Sequence, residues 1–204
     1  MLFRSVDRER LHHIDFEGRW LSVKGPSITP RPPQGQPIIA ALGQASAAYE
    51  LIARSADVGF VTPRDAAHAA GIVAEIRAEQ ARAGRAAQTV HVFGDLAVVL
   101  DETEAAAAAR RQRLDERAGT EYTSDALIFT GTAAGLADLL QDWQAAGLSG
   151  FRLRPAALPH DLTHLTERLV PELQRRGLFR SGYEAGTLRG LLGLGRPASR
   201  YAAA

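Results

Sequence analysis

Four groups of residues in this 204-residue sequence have types and spacings that suit chemistry. The first is Leu42-Gly-Gln-Ala-Ser46, where an apolar run ends in glycine and a small hydroxyl residue before a helical pattern begins. Free N–H groups and the positive end of a helix dipole at such a junction favour an anion. Ser46 fits either as a ligand hydroxyl there or as a simple helix N-cap. The second is Asp95, a charge inside an otherwise apolar strand pattern, which needs a ligand, solvent or an ionic partner. Third, Arg152 and Arg154 alternate with Phe151 and Leu153, a spacing suited to clamping an anionic group or to pairing with nearby carboxylates. Fourth, His160 and His164 stand at i and i+4, as metal ligands on one helix face do, although no His-Glu-x-x-His pattern accompanies them. A surface helix end is the preferred reading of that pair, which lacks a third ligand in sequence, and no metal site is expected. Gly131-Thr132 before a helix reads as an anion nest or, more simply, as an N-cap. The glycine-rich stretch from Gly186 to Gly195 lacks the Gly-Lys-Ser/Thr ending of a P-loop.

The elements that must position these residues alternate. Asp15–Lys24 reads as a small hairpin or extended arm. The proline-rich stretch 26–37 is not helical, because each proline lacks an N–H and pushes its predecessor towards extended backbone. Strands are expected at 38–42, 58–61, 89–99, 126–129 and 150–154. Helices are expected at 46–54, 64–83, 102–117, 133–146 and 161–176. In the fourth helix Leu136, Leu139, Leu140 and Trp143 fall on one face, and Gly147 is placed to end it. Period-two geometry puts His91, Phe93, Asp95 and Ala97 on one face of their strand and Val90, Val92, Gly94, Leu96 and Val98 on the other. Strands alternating with helices of this length imply a parallel α/β sheet of about four main β/α units. The chain is expected to form a single domain, 1–204, with an N-terminal arm at 1–36 and a C-terminal docking tail at 177–204.

Composition narrows the classes. With 46% hydrophobic residues the chain can bury a core. Its 24 basic and 23 acidic side chains give a formal charge of +1, so no long-range field draws it to nucleic acid or an anionic membrane. The absence of cysteine excludes disulfides, Cys-ligated zinc and thiolate catalysis, and fits a cytoplasmic location. No apolar run approaches the ~20 residues of a membrane span.

The segment Gly25-Pro-Ser-Ile-Thr-Pro-Arg-Pro-Pro-Gln-Gly-Gln-Pro37, continuing to Phe60, resembles the luciferase-like flavin-dependent monooxygenases, in the branch of nitrilotriacetate and dibenzothiophene-sulfone monooxygenases. Val170-Pro-Glu-Leu-Gln-Arg-Arg-Gly-Leu-Phe-Arg180, Tyr183-Glu-Ala-Gly-Thr-Leu-Arg189 and Leu192-Gly-Leu-Gly-Arg-Pro197 are similar to that branch's C-terminal signature. The resemblance implies half of a TIM-type (β/α)8 barrel, the C-terminal half, with Met1 near the midpoint of the full barrel. It implies a flavin monooxygenase that takes reduced FMN from a separate flavin reductase. FMN phosphate would meet Gly43, Gln44, Ala45 and Ser46, and Asp95, Arg152 and Arg154 would line the mouth. Relative to the family motif, Ala41 replaces a glutamine, Ala45 the phosphate-binding serine and Ala48 a second glycine, while Gly43 matches. Activity of the chain alone is not expected. The alternative is a non-catalytic remnant, or a subunit that completes a barrel as a homodimer or with a separate N-terminal half.

Overall fold

The computed structural model describes residues 11–26 and 29–199. The start of the arm (1–10), residues 27–28 of the proline-rich stretch and the end of the tail (200–204) lie outside the described residues. The chain divides into two compact units, Ile38–Glu184 and the paired ends Met1–Pro37 with Ala185–Ala204.

The larger unit is a five-stranded parallel sheet backed by helices. Its elements run β3 (Ala40–Gly43), α1 (Ser46–Ser55), β4 (Val58–Val61), α2 (Ala66–Arg82), β5 (His91–Leu100), α3 (Glu104–Ala118), β6 (Leu127–Gly131), α4 (Ala133–Ala145) and β7 (Gly150–Pro155). A last helical stretch follows, comprising α5 (His160–His164), a π turn at Leu165–Leu169 and α6 (Val170–Arg175). Sequence reading expected one helix over 161–176. Pro171 has no N–H to give to the carbonyl one turn back, and the π turn ends two residues before it, at Leu169.

β5 organises the sheet. At Phe93 and Gly94 it is flanked by β4 and β7 together, and at Leu96–Val98 by β6 and β7 together. β4 and β6 therefore share one edge of β5 in succession, and β7 occupies the other. The path β3-β4-β5-β7 is an arc of four parallel strands, with β6 alongside its third member. This is the partial barrel expected, and a strand stands at each of the five expected places.

Alternation along β5 sorts its two faces as period two requires. Val90, just ahead of the strand, and Val92, Leu96, Val98 and Leu100 enter the core with Ile52 of α1, Ile72 and Ile76 of α2, Leu136, Leu140 and Trp143 of α4, and Leu169 and Leu173. The opposite face carries Phe93 and Asp95, and Phe60 meets Phe93 edge to face at 5.8 Å. Helices are closed where sequence chemistry allows. Asp65, Thr103 and Thr132 accept N–H bonds from His68, Ala106 and Gly135, and Gly147, at φ +106, takes the left-handed turn after α4.

The smaller unit holds a two-residue hairpin, β1 (Phe16–Glu17) against β2 (Ser22–Val23), and the short helix α7 (Leu188–Leu191). Arm and tail are stitched together by arginines. Arg31 donates to the carbonyls of Gly35 and Pro197, Arg196 donates to Pro33 O at 3.0 Å, and Gln34 accepts from Arg189 N at 3.2 Å. Residues 177–184 of the expected tail belong instead with the sheet unit, where Leu178 packs on the core.

Candidate active-site face

The strand ends gather the polar residues. β3 ends at Gly43, and α1 starts three residues later with Ala45 as its N-cap. Ser46 is thus the first residue of the helix rather than its cap. Ala45 has no side chain to accept an N–H, and the first turn holds no acidic residue. Backbone N–H groups and the dipole of a 10-residue helix therefore stand without a side-chain acceptor at this strand end. Gln44, Ala45 and Ser46 are exposed. Gly43 serves packing: a Cβ there would lie 2.8 Å from Ile52 Cδ1 and 2.9 Å from Tyr49 Cδ1. Only glycine allows α1 to pack this closely on β3.

Gln44 joins a chain of bonds across the sheet end. Its Nε2 donates to Asp125 Oδ2 at 3.1 Å, and Arg154 donates to Asp125 Oδ1 at 2.8 Å and to Ser124 Oγ at 3.0 Å. The hydrogen bond from Arg154 is the main cause holding the Asp125 carboxyl below its ordinary range, and the same bond raises the guanidinium. Asp125 and Ser124 escape sequence reading because they sit in the irregular loop after α3. The Thr-Ser-Asp run before an apolar strand is the available hint.

Asp95 and Arg152 are one ion pair. Arg152 donates through Nε to Asp95 Oδ1 at 2.7 Å and through its second nitrogen to Oδ2, a two-pronged fit that follows from their pairing in register. Asp95 is fully buried, while the Arg152 side chain is 42% exposed and lies 4.7 Å over the Phe60 ring. The structure thus brings Gln44 with Arg154, and Asp95 with Arg152, on the inward side of the arc. Ser46 joins neither pair. Thr132 serves as the cap of α4 at the end of β6, and the Gly186–Gly195 stretch lies in the smaller unit.

A further constellation closes the end of β5. Asp161, fully buried, accepts from Leu100 N at 2.8 Å, from Ala157 N at 2.8 Å and from Arg110, which also donates to Leu100 O at 3.1 Å. The sequence gives Arg110 the look of a surface residue on an Ala/Arg-rich helix. Its burial follows from facing β5, which single-helix periodicity does not reveal.

A parallel sheet whose strands return through helices, with polar side chains collected at the strands' C-terminal ends, is the arrangement of a (β/α)-barrel enzyme, where ligands meet those ends. The chain belongs to the luciferase-like monooxygenase family, whose sequence profile matches residues 2–147. It is 27% identical to nitrilotriacetate monooxygenase component A of Aminobacter aminovorans, over 95% of this chain and 56% of that protein. It is 25% identical to dibenzothiophene-sulfone monooxygenase of Rhodococcus erythropolis, over 94% and 56%. The crystal structure of a riboflavin lyase with modified FMN and riboflavin superposes with a TM-score of 0.79 at 24% identity, covering 95% of this chain and 56% of that one. The chain spans about half the length of the curated relatives it matches. Among the described residues no helix is long and apolar enough to cross a membrane.

Proposed function

We propose that the chain supplies the FMN-phosphate side of a flavin-dependent monooxygenase barrel. The observation that carries this reading is the α1 N-terminus, which follows β3 directly, has alanine at its cap and no acidic residue in its first turn. Gly43, Gln44, Ala45 and Ser46 would receive the phosphate, chiefly through backbone N–H groups, with the Ser46 hydroxyl at the position next to the alanine cap. Bound reduced FMN, delivered by a separate flavin reductase, supplies the activation of O2. Arg152, held by Asp95 over Phe60, and Arg154, held by Asp125, would shape the mouth and orient a polar substrate group. Both guanidiniums are committed to carboxylates, so they favour a near-neutral mouth over a strong anion clamp. A cytoplasmic setting fits this chemistry and the absence of cysteine.

The isolated chain should bind FMN only in the high-micromolar range or weaker. Replacing a hydroxyl ligand by Ala45 removes a charge-assisted bond worth about 1.5–3 kcal/mol, or roughly ten- to a hundred-fold in affinity. Fluorescence titration with FMN and with riboflavin tests the reading. Weak binding of FMN with far less of riboflavin supports phosphate recognition at this loop. Equal binding of the two, or none of FMN at millimolar concentration, overturns it.

A second reading rests on a separate observation. Among the described residues β3 pairs only with β4 and β7 only with β5, so both ends of the arc are open. The chain then acts as a subunit that completes a barrel with a second copy or with a separate N-terminal half.

A further inference from the structure

We propose that Asp101, His160 and His164 form a divalent transition-metal site, of a kind suited to Zn2+, at the C-terminal end of β5. One ligand atom from each of the three lies within 4.8 Å of the others. His160 Nε2 stands 3.7 Å from Asp101 Oδ2, and the two imidazoles, one helical turn apart on α5, have centroids 4.6 Å apart. Two imidazoles and one carboxylate are an N/O donor set for Zn2+ and its neighbours, whereas Mg2+ prefers oxygen alone. At metal–ligand distances of about 2.0–2.2 Å, tetrahedral ligands sit roughly 3.3 Å apart. The present spacings, 3.7 Å for one pair and all within 4.8 Å, must tighten by no more than about 1.5 Å to reach that value.

The supporting shell is already rigid. Asp161 ties Leu100 N, Ala157 N and Arg110 together, fixing the start of α5 against the end of β5. Asp101 is anchored through its own N–H to Gly131 O at 3.1 Å and by accepting from Glu102 N at 2.8 Å. Such outer partners orient ligands and tune a metal site. Asp101 and Asp161 carry two negative charges against the one positive charge of Arg110, which leaves one negative charge for the cation. Arg110 approaches Asp101 at 3.7 Å but gives its strong bonds to Asp161 and Leu100 O. His160 Nε2 lies 3.1 Å from Leu100 O, and that carbonyl keeps its bond from Arg110 when the imidazole turns to a metal. With His160 exposed, the remaining coordination positions face solvent, open to water or to an anionic oxygen ligand.

Isothermal titration of the full 204-residue chain with ZnCl2, with MgCl2 as comparison, tests the site. The expected result is saturable binding of a single Zn2+ with no Mg2+ heat, and visible ligand-field bands when Co2+ replaces Zn2+. His164→Ala and His160→Ala should each weaken Zn2+ at least ~100-fold, since even outer-shell changes cost 10- to 100-fold. Unchanged metal-free circular dichroism melts establish that these variants fold, and the exposed His160 gives the safer of the two. His13→Ala, which removes a histidine beside Asp15 in the arm, should change nothing. Absence of saturable Zn2+ binding, retention in either helix variant, or loss in His13→Ala overturns the proposal.

Discussion

Asp95 is fully buried and, among the described residues, its hydrogen-bonded ionic partner is Arg152, so its burial rests on that pair. Removing one member of a buried pair leaves a charge without compensation, which costs about 3–5 kcal/mol when both are enclosed. Arg152 is partly exposed and water can reach the vacated place, so Arg152→Ala should cost about 2–3 kcal/mol in urea unfolding. Arg154→Ala, which leaves the exposed Asp125 to water and Gln44, should cost clearly less. A reversed order would show that Asp95 finds solvent. Glu172 makes a pH prediction. Bonds from Arg175 first and Arg176 second pull its pKa from 4.5 to about 2. A depressed carboxyl pKa contributes stability above the unfolded value and loses it as pH falls through the folded one. Thermal stability should therefore decline between about pH 4.5 and 2, and Glu172→Gln should decline less steeply over that window. These partnerships were half legible. An aspartate inside an apolar strand announces that it needs a partner, and Arg152 was visible, but only the β5–β7 register joins them. Asp101 and Asp161 gave no such notice, because acidic residues at strand and helix ends are common and their meeting is purely tertiary.

At the scale of elements, sequence periodicity found every strand and helix of the sheet unit, because period two and period 3.6 are imposed locally by burial on one side. It missed the π turn before Pro171, a hydrogen-bonding consequence rather than a pattern of apolar residues. It also placed the cap of α1 one residue late. Ser46 has the chemistry of a cap, but β3 runs to Gly43 and the extended residue before the helix is Ala45. That misfit yields a prediction with opposite signs for stability and ligand. Ala45→Asp supplies the missing acceptor and a favourable charge at the dipole, and should stabilise the chain by about 0.5–2 kcal/mol. The same carboxylate occupies the N–H groups proposed for the FMN phosphate and repels it, so FMN binding should disappear. Chemical unfolding and flavin titration on one variant separate the two effects, and FMN affinity that survives the substitution would remove the phosphate from this loop.

At the scale of the molecule, the helices pack their apolar core against one face of the arc. Parallel sheets are normally enclosed on both faces, and here the inward face carries Phe60, Phe93 and, at the edge strand, Leu42 at 47% exposure. β3 and β7 each offer an outer edge of N–H and C=O groups that no strand pairs among the described residues. Unpaired edges recruit further strands, and apolar surface beside them supplies the drive. The sequence already implied this shape through four β/α units, but which strands are outermost became visible only from the pairing of β7 with β5. The full chain should therefore self-associate at micromolar concentration, with a light-scattering mass that rises with concentration and with binding of an apolar fluorescent dye. Leu42→Lys places a charge on the exposed inward side of the edge strand at little cost to folding. It should shift the equilibrium towards monomer, as lysines on natural edge strands do. A monodisperse monomer that binds no dye before any substitution would mean that the inward face is already covered. A mass unchanged by Leu42→Lys would move the contact from the β3 edge to β7.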